Sequence, residues 1–317
     1  MALIKHPIAD LIARRGGLVI DGAMSTPLEA AGLNLNDTLW SAKALLECPD
    51  LVRKVHYDYY AAGANAVEAC SYQATEAAFA RKGIEKAEAS RLIRLSGELV
   101  REAKNDVLLE HPEWDPADLL TAGSIGPYGA YLADGSEYTG AYDLTREEYY
   151  AFHQLRLDEL LNSGMDILAI ETQPRFDEIE ALLAMIADRD ITCWVTVTLK
   201  DGDMPDGTKL EVLAKCLDAD PHVEAFGFNC VKREWVEPGL KRLSAYTDKP
   251  LVVYPNSGET YDPTTKTWHA QGVHEPDWNH YVPLWEHTGA RCIGGCCPLP
   301  KDIVQIADLL HRAAEKH

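Results

Sequence analysis

The sequence contains nothing approaching the roughly 18 consecutive apolar residues of a membrane-spanning helix. Its first residues hold no apolar signal-peptide core, because Lys5, His6, Asp10, Arg14 and Arg15 interrupt them. No Gly-x-Gly-x-x-Gly follows an apolar run, and there is no phosphate-binding loop, internal repeat or low-complexity tract. Basic residues are scarce: 30 Lys and Arg stand against 50 Asp and Glu, a formal charge of −20. Nucleic acid binding rests on clustered Lys and Arg, so that balance argues against it. It is compatible with a cationic small substrate. The eight cysteines form no regular framework, which fits a reducing compartment. These absences lead to the expectation of a cytoplasmic protein acting on small molecules, with neither membrane nor nucleic acid as partner.

What is present is ordinary for a globular chain: 46% apolar and 25% charged residues. Short apolar runs alternate with amphipathic stretches of helical period. Strands are expected at 17–20, 64–71, 119–124, 166–170, 192–199, 225–230, 251–254 and 290–293, each followed by a helix. Thr145 with Glu148 three residues on has the capping-box spacing, and Gly164 is placed to stop that helix. Eight strand–helix units predict an α/β fold of the (β/α)₈ barrel type, one domain over residues 1–317. Periodicity alone would also allow a doubly wound sheet. The placement of unusual residues favours the barrel. Asp21, Tyr72, Ser124, Glu171, Asn229, Asn256 and Cys296 each fall at the C-terminal end of a different expected strand. A barrel gathers those ends on one face, where active sites lie.

The segment Ile293-Gly294-Gly295-Cys296-Cys297-Pro298 stands out among them. Glycines permit sharp turns and close approach, so both sulfurs could be aimed at one point. Cys230 ends another apolar run, Ala225 to Asn229. Three thiolates at two strand ends would make an open metal site with a vacant fourth position, suited to a catalytic zinc. Cys48, Cys70, Cys193, Cys216 and Cys292 read as core residues. Other readings stay open at this level. The vicinal pair could be a strained disulfide or a redox switch, Glu171 a helix cap, and Asp21-Gly22 a turn.

The sequence resembles the homocysteine S-methyltransferases over nearly its whole length. The resemblance is carried by Asp21-Gly22-Ala23-Met24, Ser71-Tyr72-Gln73-Ala74, Ser124-Ile125-Gly126-Pro127-Tyr128-Gly129, Asp134-Gly135-Ser136-Glu137-Tyr138, Glu171-Thr172, Phe228-Asn229-Cys230, Tyr254-Pro255-Asn256-Ser257-Gly258-Glu259 and Gly294-Gly295-Cys296-Cys297. It implies zinc on Cys230, Cys296 and Cys297, and methyl transfer from a sulfonium donor to homocysteine. It implies also that Asp21 and Glu171 hold the substrate amino group. Two departures from the family pattern concern Gln173 after Glu171-Thr172 and the short segment Pro298-Leu299-Pro300. The segment from Gly126 to Tyr138, with no glycine-rich loop for an adenosyl ribose, favours S-methylmethionine over S-adenosylmethionine. A cationic donor calls for aromatic faces; Tyr72 and Tyr128 are expected to line the pocket, with Tyr131 and Tyr138 as further candidates. The competing expectations are a non-catalytic zinc- or redox-responsive thiol barrel and a thiol methyltransferase using betaine. The sequence leaves the oligomeric state open.

Overall fold

The structure is a computed structural model that describes residues 5–256, 260–262, 267–269, 277–296 and 299–314. Eight parallel strands form its centre: β1 (Leu18–Val19), β2 (Ala66–Glu68), β3 (Leu120–Ile125), β4 (Ile167–Gln173), β5 (Cys193–Val197), β6 (Val223–Asn229), β7 (Leu251–Tyr254) and β8 (Ala290–Ile293). Each pairs with its sequence neighbour, and β8 returns to β1 through Leu18–Cys292 and Val19–Ile293. The seam between β1 and β2 is closed by a parallel bridge at Ile20 and Ala66. There the Asn65 N–H donates to Val19 O at 2.8 Å and the Asp21 N–H to Ala66 O at 3.0 Å. The sheet is therefore a barrel, as the strand count led one to expect.

Alternation along each strand sorts side chains into two sets. Val67, Leu168, Ile170, Val195, Phe226, Phe228 and Val253 point outward, into the layer shared with the helices. Ala66, Ala122, Ile167, Ala169, Trp194, Ala225, Val252 and Tyr254 fill the barrel interior. Stepping two residues from Ala66, Ala122 and Ala169 gives Glu68, Ser124 and Glu171. Strand parity thus carries polar groups onto the top interior layer, above an apolar plug.

A helix not foreseen from the sequence, Pro7–Arg15, closes the opposite end. Ile8 and Leu11 join the interior cluster, and the Ala9 N–H donates to Glu224 Oε2 at 3.0 Å. The strand bounds also differ from expectation. β2 ends at Glu68, because the chain then turns so that Ser71 Oγ reaches Ser124 O at 2.7 Å. β4 continues through Glu171 to Gln173, so Glu171 stands within the strand and not in a capping loop. The capping box at Thr145 and Glu148 forms as the spacing indicated. Thr260–Asp262 and Thr267–His269 pair as an antiparallel ribbon. No helix among the described residues is long and apolar enough to cross a membrane.

Candidate active site

At the C-terminal ends of the strands lies a cavity of about 130 Å³. Asp21, Glu68, Glu137 and Glu171 line it, together with Trp40, Tyr72, Tyr138, Tyr254, Ser124, Thr172 and the thiols of Cys230 and Cys296. No Lys or Arg is among the described residues that line it. A wider groove of about 820 Å³ opens at the barrel's other end, around His6, Glu224 and Lys249, far from these strand ends.

Burial dominates the electrostatics. It drives the Asp21 carboxyl well above the carboxylate range; the Glu68 N–H bonded to Asp21 at 3.1 Å opposes that rise and the Glu171 charge adds to it. Glu68 rises likewise, first through burial and then through Glu171, Asp21 and Cys230. Burial lifts Glu171 to about 7, against hydrogen bonds from Ser124 and Tyr254 that favour its charged form. Glu137 also reaches about 7 through burial. The Glu171 charge thus raises both Asp21 and Glu68, and Asp21 raises Glu68 further, while the Arg156 charge opposes the rise at Glu171; the cluster favours a cation from outside. Asp21 Oδ1, Glu68 Oε1 and Glu137 Oε2 are buried with no hydrogen-bond partner among the described residues. Each such oxygen can accept a bond from a bound cation.

Glu171 is the most firmly held of the four. Ser124 Oγ donates to its Oε1, and Asn229 Nδ2 and Tyr254 OH approach Oε2 at 3.3 Å each. The Tyr254 hydroxyl is itself met by Trp194 Nε1 at 3.2 Å and Thr196 at 2.9 Å. A polar column therefore rises from the barrel interior to the carboxylate. Asn229 lies beside the cavity and ties its wall together: its Oδ1 accepts from the Thr172 N–H at 2.7 Å, and its Nδ2 donates to Thr172 Oγ1 at 2.7 Å and to Cys230 Sγ at 3.6 Å.

Backbone strain collects at the same place. Trp40, Thr172 and Cys230 have φ of 42°, 55° and 49°, in the left-handed region that non-glycine residues avoid. Such conformations cost about 1–3 kcal/mol each and persist where the surroundings fix them. At Cys230 the effect is to swing the thiol from the end of β6 toward the cavity. Gly294 serves the other thiol. A Cβ there would meet Ile20 O at 2.7 Å and Ile20 Cβ at 2.8 Å, so only glycine lets β8 pass this close to β1. Its φ is not left-handed, so close approach is its role and not a sharp turn. Beyond it the Cys296 N–H donates to Pro255 O at 3.2 Å.

The structure brings Asp21, Tyr72, Ser124, Glu171, Cys230 and Cys296 to one cavity. Cys297 lies outside the described residues. Tyr128 is not part of the lining; its ring packs against Tyr131, Tyr142 and Phe152, and its N–H is held by Glu178 Oε1 at 2.6 Å. Asn256 is not part of the lining either; its N–H donates to Val231 O at 3.2 Å, and its Oδ1 is buried without a partner among the described residues. Glu68, Thr172 and Tyr254 were not foreseen, nor was a binding place for Glu137. Alternation gave a signal for Glu68, a lone acid inside the run Ala66-Val67-Glu68-Ala69 with the parity of Ala66. Buried Arg156 was missed as well. It donates to Tyr72 O at 2.5 Å, Gly126 O at 2.6 Å and His153 Nδ1 at 2.8 Å, anchoring the loop that carries Tyr72. The Tyr72 ring lies over Gly126, where a Cβ would meet it at 2.7 Å.

A (β/α)₈ barrel with thiols and carboxyls converging at its strand C-termini is an enzyme architecture built for small molecules. Comparison with known proteins narrows the class. The sequence profile described as homocysteine S-methyltransferase matches residues 18–310. The chain is 48% identical over 305 residues to the homocysteine S-methyltransferase of Escherichia coli, covering 95% of this chain and 98% of that one. It is 42% identical to homocysteine S-methyltransferase YbgG of Bacillus subtilis, covering 95% and 97%. Its fold superposes on the metallated crystal form of the homocysteine methyltransferase MmuM from Escherichia coli with a TM-score of 0.86 and 44% identity, over 96% of this chain and 99% of that one. The chain belongs to the homocysteine S-methyltransferase family and is an enzyme.

Proposed function

We propose that this enzyme transfers a methyl group from a small sulfonium, S-methylmethionine in preference to S-adenosylmethionine, to the sulfur of homocysteine. The observation that carries the proposal is the pocket itself: among the described residues, two cysteine sulfurs, four acids and no Lys or Arg line about 130 Å³. Among the described residues the pocket is small beside the roughly 300–1,000 Å³ of drug-sized sites, which favours the smaller donor. The donor set fits zinc, a metal that takes thiolate ligands; the sulfurs of Cys230 and Cys296 line the cavity wall, and Cys297 is the third proposed ligand. When bound there, zinc would hold the acceptor sulfur as a thiolate at neutral pH, where a free thiol with pKa near ~8.5 is mostly protonated.

The chain's own groups do the rest. Asp21 and Glu171, with Glu68 beside them, receive the homocysteine ammonium group. Trp40, Tyr72 and Tyr138 supply aromatic walls, and aromatic faces attract a sulfonium through their quadrupoles. Asn229 and the strained backbone at Cys230 fix the thiol against the acids, so that acceptor and donor meet in line. As the new bond forms from homocysteine sulfur to the methyl carbon, the donor's S–CH₃ bond breaks. Its electron pair returns to the donor sulfur, which leaves as a neutral thioether, and the acceptor's thiol proton is released. Steady-state kinetics with both donors test the reading. A higher kcat/KM for S-methylmethionine is expected; a higher value for S-adenosylmethionine would overturn the donor assignment.

A further inference from the structure

Two acidic centres flank the thiols, and the reaction above uses only one. Asp21, Glu68 and Glu171 form the first and act on one another. Cys230 lines the same cavity and is within electrostatic reach of Glu68, Tyr72 and Tyr138. Glu137 bears on the same two tyrosines and forms the second centre. It sits in the short helix Ser136–Thr139, reached through Gly135 at φ 88°, which turns the loop inward. Its side chain is only 5% exposed, lines the cavity and leaves Oε2 without a partner among the described residues. Backbone N–H groups of Gly135 and Glu137 favour its charged form, so part of the carboxylate is tied down while one oxygen remains available.

We propose that Glu137 receives the α-ammonium group of an amino-acid methyl donor, so that the pocket carries a separate ammonium receptor for each substrate. This deepens the methyl-transfer reading and rests on it. The donor carries two cationic groups, the sulfonium and the ammonium, and their chemistry differs toward Glu137. A sulfonium has no N–H to satisfy an orphaned acceptor, whereas an ammonium group has three. The sulfonium charge also vanishes as the methyl leaves, so a carboxylate bonded to it would stabilise the ground state above the transition state. The ammonium charge persists throughout, and binding it lowers KM without raising the barrier. Tyr72 and Tyr138 are left to face the sulfonium. Glu137 is accordingly a specificity-determining residue: it selects sulfoniums that carry an amino-acid head.

The test compares S-methylmethionine with 4-(dimethylsulfonio)butanoate, the same sulfonium without its amino group, in wild type and Glu137→Gln. A lost hydrogen bond to a charged group corresponds to about ten- to hundredfold. Wild type should prefer S-methylmethionine by that factor in kcat/KM. The variant should lose the preference through donor KM, while homocysteine KM stays within about twofold. Glu137→Asp, which keeps the charge but withdraws it, should fall between them. Equal losses for both donors, an unchanged preference, or a raised homocysteine KM alone would overturn the assignment. Wild type that methylates homocysteine from neither donor would instead overturn the methyl-transfer reading. In that case calorimetric binding of S-methylmethionine still decides the ammonium contact: a Kd unchanged by Glu137→Gln refutes it, and a loss of about tenfold supports it.

Discussion

Glu137 offers a test of the buried-acid electrostatics that needs no substrate. Burial raises its pKa from 4.5 to about 7 in the folded protein. The folded state therefore binds more protons than the unfolded chain between those values. Stability from this group is fully present below pH 4.5 and is lost as pH rises through about 7. At 1.36 kcal/mol per pH unit, the loss amounts to ~3 kcal/mol by pH 8. Replacing Glu137 by Gln removes the titration. It also removes hydrogen bonds; the part that favours the charged form is already contained in the raised pKa, and the rest is the same at both pH values and cancels. The assay is denaturant unfolding of metal-free wild type and Glu137→Gln at pH 4.5 and pH 8. The variant should gain ~3 kcal/mol relative to wild type between the two, or roughly 5 °C in a thermal scan. A stability difference that stays flat across that range would refute the argument, since a carboxyl titrating normally has no such dependence.

Four further outcomes follow from the same geometry. Cys230→Ser and Cys296→Ser should each lose activity and lower the zinc content measured by elemental analysis while far-ultraviolet circular dichroism is retained; zinc and turnover kept in both would remove them from the ligand set. Glu171→Gln should weaken homocysteine by about ten- to hundredfold, because an ammonium contact of about 1.5–3 kcal/mol is lost. Isothermal titration checks this, and an unchanged Kd would mean that Glu171 only supports the wall. Gly294→Ala should destabilise by about 1–3 kcal/mol through its clash with Ile20 and displace Cys296, read as a lower Tm together with lower activity.

The barrel was legible because eight short apolar runs alternate with helical stretches and unusual residues recur at the C-terminal ends of those runs. Ala66, Ala122 and Ala169 mark the interior face, and the residue two further on becomes part of the site. That rule also reaches Glu68, which was passed over because β2 was read as running on to Ser71. The chain turns after Glu68 for reasons outside the strand itself: Arg156, from the helix Arg146–Asn162, holds Tyr72 O. Contacts of that range leave no local mark. The same network explains Tyr128, which the motif places at a strand end but which Glu178 and an aromatic cluster hold against Phe152. Glycine's importance beside the cysteines could be read from composition, but its cause could not. Gly294 answers to β1, almost the whole chain away. The helix Pro7–Arg15 plugs the barrel with only two buried residues, Ile8 and Leu11, too few for a periodic signal.

The central claim is methyl transfer onto homocysteine in this pocket, and an acceptor label tests it most directly. Homocysteine carrying heavy carbon throughout its backbone is incubated with the zinc-loaded enzyme and unlabelled S-methylmethionine, and the methionine formed is weighed by mass spectrometry. The account predicts labelled methionine, formed from the acceptor, in equal amount to unlabelled methionine from the demethylated donor, and neither product with Cys230→Ser. Unlabelled methionine alone, or labelled homocysteine recovered intact while zinc remains bound, would contradict it.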